Sequence, residues 1–496
     1  MGLSGVGVQA SGTSAGLPKG VELRSLAVIR LSALTRSQDR ALVASLQGLV
    51  AKRSPEQIFI DDGGASTVWK DYLASRYGIT LTNEYATLPA LVTHFRRYVR
   101  GYIVYDLATN RRSINVATSF SGPLMGLPVD RTQVELVRSL GITRELLDVS
   151  DKDEKWAYDN HRGLFSDATA AELNFTVYHQ LRDYATLTNS FTFYGEVTDW
   201  RGRVLAGLAP GATLFGWGRN ETAMVRQASQ EGVATVPTDL AANLSALSSI
   251  HSTDGLRQKV DPAPVTRRKH YVSFVVSDGD NVQWNLRGLQ QYYRNPDRGR
   301  FSIGYGVSPA LVDLAPSVLR WYYENAGKER FIAGPSGGGY VYPSRMPADD
   351  LDRFTRNLNT SMGKAGLSIA EILDDQDSFD RPDVLSKYLR QPNIDALLYF
   401  GLNANGRIGW VDGKPVIGQR DVLWAGVTDE YALARAINAR PVSPTTADGY
   451  TLVLVHCWTK SLSDIGRVVD GLGPDVEVVT PQDLVSLITQ NRVGSA

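Results

Sequence analysis

The sequence predicts an α/β protein: an N-terminal α/β region with mostly parallel sheet, then a C-terminal distorted (β/α)7-type barrel. Short β-rich runs alternate with helix patterns along the chain, as in parallel sheets covered by helices. Seven such runs follow residue 268, most with a helix pattern behind them. The length of 496 residues exceeds what one core usually serves, so two or three domains are expected.

The first α/β domain is predicted over residues 22–150, after a flexible Gly- and Ser-rich leader at residues 1–21. An amphipathic helix is predicted at residues 38–50. Strands are predicted at residues 23–31, 58–62, 101–106 and 113–120. No G-x-G-x-x-G string follows the first strand, so the sequence gives no indication of a dinucleotide site. The domain is expected to be structural.

A second, accessory α/β segment is predicted over residues 151–262. Its pattern is weaker, with helices at residues 168–181 and 221–230 and a strand at residues 212–218. Two prolines and three basic residues at 261–269 predict a linker.

The C-terminal domain, residues 268–496, is predicted to be the catalytic barrel. In such barrels, active residues lie at the carboxyl ends of the strands. Its strands are predicted at residues 271–278, 300–307, 330–335, 367–373, 394–401, 450–458 and 476–481. No repeat of 20 to 50 residues is evident in the sequence.

Composition excludes several function classes. Lys+Arg and Asp+Glu are both 52, and no basic stripe is visible, so nucleic acid is not expected as a partner. No apolar run approaches 18 residues, so no membrane span is predicted. The single cysteine, Cys457, permits no internal disulfide and is expected to be a small core residue. No cofactor is predicted, and the oligomeric state is left open.

Residues 331–343, FIAGPSGGGYVYP, form a distinctive segment. A strand-like run leads into glycines, whose backbone can approach a ligand closely. Tyr340 and Tyr342 would point to one side of extended backbone. The segment could bind a polyhydroxylated ligand through Ser336, Gly339 and the two phenols. A tight turn with two half-buried tyrosines is the alternative.

Residues 337–343, GGGYVYP, fit the string G-x-G-Y-x-Y-P. The strings VVSDGDN at 275–281 and GRIGWVDGKPV at 406–416 are similar to the same family. The chain therefore resembles, over about residues 23–487, the GxGYxYP family, described as putative glycoside hydrolases. The resemblance implies a carbohydrate substrate. It also implies export, with the protein secreted or in the cell envelope of a bacterium.

Two carboxylates follow the first predicted barrel strand, at Asp278 and Asp280. Glycoside hydrolysis needs one carboxyl group to donate a proton and another to attack or to activate water. Like charges close together raise one pKa, which keeps one acid protonated. We expect Asp278 and Asp280 to be catalytic, with Asp374 as the alternative partner. A plain turn is the competing interpretation of this string.

Other polar and aromatic residues near predicted strand ends are candidates for substrate binding. His456 and Trp458 share one face of a strand, where His456 would orient a carboxylate and Trp458 would stack on a sugar ring; a core histidine and a packing tryptophan are equally expected there. Arg420 lies on a long excursion that contains a predicted hairpin turn at Asp412, and a solvated surface role is at least as plausible for it. The remaining candidates are Asn281, Trp284, Glu371 and Asp375.

Three functions compete at this point. A glycoside hydrolase leads. A metal-dependent polysaccharide deacetylase is the second, although none of the six histidines has the three- or four-residue spacing of a helical zinc site. A noncatalytic carbohydrate-binding protein is the third. A calcium loop at Asp278–Asn281 lacks the glycine and glutamate that such a loop requires.

Overall fold

The computed structural model describes residues 16–401 and 403–494, so most of the predicted leader lies outside the described residues. The described chain forms two compact units. The first unit holds the described residues up to Glu221, with Thr238–Ser252 and Asp313–Ser317; the second holds Thr222–Pro237, Thr253–Val312 and the chain from Val318 onwards. Within the described ranges no helix has the length and apolarity that a bilayer crossing requires.

The first unit contains three consecutive β-α-β-α-β repeats of the same topology. In each repeat, the first strand lies between the second and the third, and the pairs are parallel. The strands are β1 (Ser25–Arg30), β2 (Glu56–Asp61) and β3 (Thr80–Tyr85), β4 (Gly101–Tyr105), β5 (Gly126–Asp130) and β6 (Glu145–Asp148), and β7 (Thr169–Glu172), β8 (Phe191–Phe193) and β9 (Thr213–Gly216). The helices are α1 (Ser37–Ala51), α2 (Ala65–Tyr77), α3 (Leu88–Phe95), α4 (Ser113–Leu124), α5 (Val134–Ser139), α6 (Glu154–His161), α7 (Arg182–Thr188) and α8 (Asp199–Ala206).

The first helix of each repeat packs against the other two, so α1, α4 and α7 form a common centre. Two glycines permit this close approach. A Cβ atom at Gly48 of α1 would lie 2.2 Å from the carbonyl oxygen of Asp183, and one at Gly122 of α4 would lie 2.3 Å from that of Thr186. The repetition is one of topology and is not visible as a sequence repeat.

Two of the predicted elements in this unit are wrong. Residues 113–120 are helical, because α4 is buried on almost every side and therefore lacks the one-sided apolar pattern of a surface helix. Residues 168–181, predicted as helix, contain strand β7. Parallel pairing of β7 with β8 and β9 overrides the helix propensity of its alanines.

The chain then passes through α9 (Glu221–Gln230), β10 (Ala234–Val236) and α10 (Leu244–Leu247). The strands of the second unit's large sheet are β11 (His270–Ser277), β12 (Ile303–Val307), β13 (Glu329–Ala333), β14 (Ile369–Leu373), β15 (Ala396–Phe400), β16 (Ile408–Val411), β17 (Lys414–Gly418), β18 (Asp421–Leu423), β19 (Tyr450–His456) and β20 (Val476–Val478). The helices are α11 (Leu289–Tyr293), α12 (Leu311–Leu314), α13 (Pro316–Glu324), α14 (Ala348–Ala365), α15 (Pro382–Leu389), α16 (Glu430–Asn438), α17 (Leu462–Asp470) and α18 (Pro481–Gln490).

The large sheet has the order β16-β17-β15-β14-β13-β12-β11-β19-β18, and β20 also pairs with β11. Its pairs are parallel except for the β16–β17 hairpin, which turns at Asp412 and Gly413 with positive φ at both, as predicted. All seven predicted strands are present. The excursion over residues 406–424 contributes three more, β16 to β18. Strand pairing in the described residues leaves this order open, so a closed barrel is not shown.

The sheet is strongly curved. Strands β11 and β14 are three places apart, which would separate them by about 14 Å in a flat sheet with a spacing of about 4.8 Å. Yet the Ser277 hydroxyl of β11 donates a hydrogen bond to Glu371 Oε1 of β14. The inner side chains of strands far apart in the sheet therefore meet near its carboxyl edge.

Candidate active site

Three glycines bring the ends of β11, β12 and β13 into contact. A Cβ atom at Gly279 would lie 2.0 Å from the carbonyl carbon of Gly306, and one at Gly334 would lie 2.3 Å from the backbone nitrogen of Asp280. In both cases the atom that the Cβ would meet belongs to the backbone, so no side chain can move aside to make room. The loop that carries Asp278 and Asp280 is thereby pressed onto the ends of β12 and β13.

Asp278 is the partly exposed carboxylate of this loop. The Trp458 indole N–H donates to its Oδ2 at 2.7 Å, and its own backbone N–H donates to Cys457 Sγ at 3.3 Å. Burial raises the pKa of Asp278, and the Trp458 hydrogen bond opposes that rise. Asp278 therefore keeps its proton to higher pH than an ordinary aspartate, while remaining accessible.

Glu371, from β14, is a buried carboxylate beneath this loop. Its Oε1 accepts from Ser277, and its Oε2 has no hydrogen-bond partner in the structure. Burial raises the pKa of Glu371 well above its usual value; Ser277 lowers it, and the charges of Asp280 and Asp278 raise it further. Three acidic side chains, two from the loop after β11 and one from β14, thus affect one another electrostatically, and Asp280 is itself buried.

The Gly-rich segment forms a tight, ordered loop. Ser336 and Gly337 have φ of 59° and 97°, and Gly337 is the residue type that suits such backbone. The backbone N–H of Ser336 donates to the carbonyl oxygen of Glu371 at 2.8 Å, and its hydroxyl donates to that of Val341 at 2.5 Å. The loop is therefore attached directly to the strand that carries Glu371.

The two tyrosines that follow are buried. Their rings lie on the same side of the segment, as predicted, with centroids 5.6 Å apart in an edge-to-face arrangement. The backbones of Tyr340 and Thr235 exchange hydrogen bonds, and the Tyr342 N–H donates to Ser229 Oγ. Gly339 has a φ of 154°, and a Cβ there would make a tight contact, 3.0 Å from the Cβ of Ala234. In this structure the tyrosines pack in the interior.

Asp374 and Asp375, just beyond β14, hold the turn after the tyrosines. Ser344 donates to Asp374 through both its N–H and its hydroxyl, and Ser378 donates a third bond. Burial raises the pKa of Asp374 against these hydrogen bonds. Asp375 binds Arg345 and Arg226, which outweigh burial and lower its pKa. The geometry gives both carboxylates an anchoring role in the fold.

Trp284, predicted as a sugar platform, is a buried residue that packs edge-to-face on Tyr292. It begins a π-helical turn, Trp284–Gly288. The backbone N–H of Trp284 donates to Asn281 Oδ1 at 3.4 Å, so the Asn281 side chain caps the start of that turn. Trp284 nevertheless borders a cavity of about 360 Å³ that Trp458 also lines.

His456 ends β19, and its ring stacks on Trp424 with centroids 3.6 Å apart and an interplanar angle of 4°. Its Nδ1 hydrogen-bonds Thr459 Oγ1 at 2.8 Å, and burial lowers its pKa. The tryptophan that touches a catalytic candidate is Trp458, whereas His456 supports Trp424. Arg420 donates to the backbone oxygens of Gly406 and Ala447. In this structure its side chain therefore holds the excursion in place against the segment before β19.

Sequence reasoning missed Ser277, Trp424 and the glycines at 306 and 334. A glycine at or just after several strand ends was a visible signal for close packing there. No sequence signal indicated the Trp424–His456 stack, because 32 positions separate the two residues. Across residues 16–401 and 403–494, no group of three or more histidine, cysteine, aspartate or glutamate side chains is placed to hold a metal ion.

Glu371→Gln tests the electrostatics of the site. The pKa of Glu371 is raised in the folded protein. Its contribution to stability is therefore fully present below the pKa of glutamate in the unfolded chain, about 4.3, and is lost as pH rises through the folded-state pKa. We therefore expect the unfolding free energy of Glu371→Gln to fall less than that of the parent between pH 5 and pH 8 in urea titrations.

The contrasting variant is Asp375→Asn, because the pKa of Asp375 is lowered. Asp375 stabilises the fold above the unfolded aspartate pKa and loses this effect as pH falls, so Asp375→Asn should be less stable than the parent chiefly at neutral pH. Equal pH slopes for Glu371→Gln and the parent would contradict the assignment of Glu371 as a buried acid.

Comparison with known proteins covers nearly all of the chain. Domain models of one family match in order: the GxGYxYP_N 1st domain at residues 25–97, the GxGYxYP_N second domain at 99–163, the GxGYxYP third domain at 169–249, and the GxGYxYP putative glycoside hydrolase C-terminal domain at 268–489. No curated protein matches the sequence.

One solved structure is similar over almost its full length. It is a crystal structure described as a putative hydrolase from Bacteroides thetaiotaomicron VPI-5482, with 44% sequence identity and a TM-score of 0.92. The match covers 95% of this chain and 96% of that one. The string at residues 337–343, the four successive domain matches and this structural likeness agree, and the chain belongs to the GxGYxYP family.

Proposed function

We propose that the chain is a glycoside hydrolase that acts at the carboxyl ends of β11 and β14, with Asp278 as the proton donor. The observation that carries this proposal is the environment of Asp278: a partly exposed carboxylate with a raised pKa, whose Oδ2 is held by the indole of an exposed tryptophan. A general acid must be protonated at the working pH and must reach the substrate. The raised pKa shifts Asp278 towards the protonated form, and its partial exposure leaves it open to a ligand.

Asp280 is the second carboxylate of the proposed mechanism. Once Asp278 has protonated the leaving glycosidic oxygen, a carboxylate must attack the sugar or activate water. Asp280 lies two residues away on the same constrained loop, and its charge acts on Glu371. Glu371 is a positioning residue in this scheme: when protonated, it adds no negative charge next to Asp280.

We also propose that the large sheet closes into a barrel through the segment that joins β17 and β18. The Gln419 N–H donates to the carbonyl oxygen of Tyr399 in β15, and the next N–H, of Arg420, donates to that of Leu452 in β19. Consecutive residues thus bond to β15 and β19, which are the parallel neighbours of β17 and β18 towards the two ends of the strand order. In this arrangement the segment between β17 and β18 completes the ring. The sequence pattern had predicted β20 as the last strand of the barrel.

The family description supports a carbohydrate substrate. We also propose that the activity lies in the cell envelope or secreted fraction of a bacterium, where a polysaccharide too large to cross a membrane would be met. Cell fractionation with an antibody against the chain tests this placement.

The test of function is hydrolysis of a panel of neutral and acidic glycans by the purified chain, with new reducing ends and released acetate both measured. We expect new reducing ends from at least one glycan and no acetate beyond background. Acetate without new reducing ends would contradict the proposal in favour of a deacetylase. Binding of glycans without either product would contradict it in favour of a noncatalytic binding protein.

A further inference from the structure

The second unit exposes a set of large apolar side chains beside the proposed catalytic loop. Trp424 is 38% exposed, Val427 65%, Tyr431 59% and Trp458 51%. We call these four residues the aromatic surface. Grouped apolar side chains in water are unfavourable for a monomeric protein and usually mark a binding site.

The sheet positions the first member. Strands β18 and β19 pair in parallel with Leu423 opposite Val455, so the next residues, Trp424 and His456, lie side by side. Their rings stack at 3.6 Å. Thr459 Oγ1 bonds His456 Nδ1 and accepts from the N–H of Ala425. One face of the Trp424 indole is therefore fixed against His456, and the ring is pre-oriented for a ligand.

The segment after Trp424 is also fixed. The Val427 N–H donates to the carbonyl oxygen of Trp424 at 3.0 Å, and Tyr431 lies in the first turn of α16. Glu430, beside it, accepts from Lys460 at 2.9 Å and pairs with Arg467 at 3.4 Å. The aromatic surface is thus built on anchored backbone.

The aromatic surface borders the proposed active site through Trp458, whose indole N–H donates to Asp278. Flat aromatic rings with a polar edge suit sugar rings, which offer apolar C–H faces and hydroxyl rims. The neighbouring cations, Lys460 and Arg467, are both paired with Glu430, so they do not favour an acidic sugar.

We propose that the aromatic surface is an extended subsite for a neutral oligosaccharide, in which one sugar ring stacks on Trp458 next to Asp278 and a further ring stacks on Trp424. This inference rests on the proposed function for its direction and predicts a chain of several sugars as substrate. A disaccharide would occupy only the part nearest Asp278.

The test measures binding of neutral oligosaccharides of two to six sugars, and of uronic acid oligosaccharides, to the full chain carrying Asp278→Asn, which should slow turnover. Isothermal calorimetry reports the affinity. Adding Trp424→Ala should weaken binding of the longest bound neutral ligand at least tenfold and change disaccharide binding less than twofold. Trp424→Phe keeps a ring and should retain part of the affinity. Val265→Ala, which removes an exposed apolar side chain elsewhere, is the matched control.

Unchanged affinity of Trp424→Ala for long neutral ligands would overturn the proposal, as would preferred binding of uronic acid oligosaccharides or no glycan binding at all. A Trp424→Ala protein that loses disaccharide affinity equally would also overturn it, because the effect would not be confined to the extended subsite. A further outcome is that the parent chain cleaves no glycan while Trp424→Ala still loses affinity only for long ligands. That result would support the subsite and refute the hydrolase proposal separately.

Discussion

Replacing Asp278 by asparagine is expected to lower kcat on any glycan that the parent cleaves by about 10²–10⁴-fold, the usual contribution of a general acid. Asparagine keeps the size of the side chain and can still accept the Trp458 hydrogen bond through its amide oxygen, but it has no proton to give to the leaving oxygen. The measurement is initial-rate release of reducing ends. Asp470→Asn is the matched control, because its side chain pairs with Arg300 at the surface and should leave kcat unchanged.

Trp458→Phe provides a second arm of the same prediction. The Trp458 hydrogen bond lowers the pKa of Asp278, so its loss should raise that pKa further. Because the protonated form is the active one, activity is lost as pH rises through this pKa. The alkaline limb of kcat/KM should therefore move to higher pH in Trp458→Phe. A limb that stays in place, together with full activity in Asp278→Asn, would remove Asp278 from the mechanism.

Gly279→Ala is expected to have the largest effect on stability. The added methyl group would lie 2.0 Å from the carbonyl carbon of Gly306 and 2.3 Å from its Cα atom. The backbone of Gly306 in β12 cannot rotate away, so the loop that carries Gly279 must move or the strand ends must separate. Overpacking of this kind costs about 1–3 kcal/mol or more, measured as the unfolding free energy in urea.

The glycines of the site should differ in a graded way. Gly334→Ala, with its Cβ at 2.3 Å from backbone, should resemble Gly279→Ala. Gly306→Ala should be milder, because its nearest contact is at 3.0 Å. Gly163→Ala has no atom within 4 Å of the new Cβ and serves as the control. If Gly279→Ala were as stable as the control, the close contact between the strand ends would be wrong.

The predicted strands and helices of the C-terminal region are largely confirmed, because each depends on a short window of residues. Alternating or continuous apolar runs identified β11 to β15, and helix patterns were recognised behind most of the strands. The Asp412–Gly413 turn was also readable, since its positive φ angles favour those residue types. The family was recognised from residues 337–343 for the same reason: the string is contiguous.

The candidate site was predicted in part. Asp278 and Asp280 lie at the strand end where the pattern placed them. The pattern could not reveal the anchoring role of Asp374. Its carboxylate is bonded by Ser344, which lies 30 residues earlier in the chain, and by Ser378. Nor could it tell that Trp284 is buried while Trp458 is exposed. Both are tryptophans near a strand end, and only their packing neighbours distinguish them.

By itself, the sequence determined the α/β class, the order of most elements, the family and the position of the acidic loop, since these depend on residues adjacent in the chain. The tertiary structure alone decided that Ser277 meets Glu371 across a curved sheet, that Trp424 stacks on His456, and that the first unit repeats one topology three times. Such features depend on contacts between residues far apart in sequence. A local pattern cannot specify them, because strand curvature and close packing are set by all the neighbouring elements together.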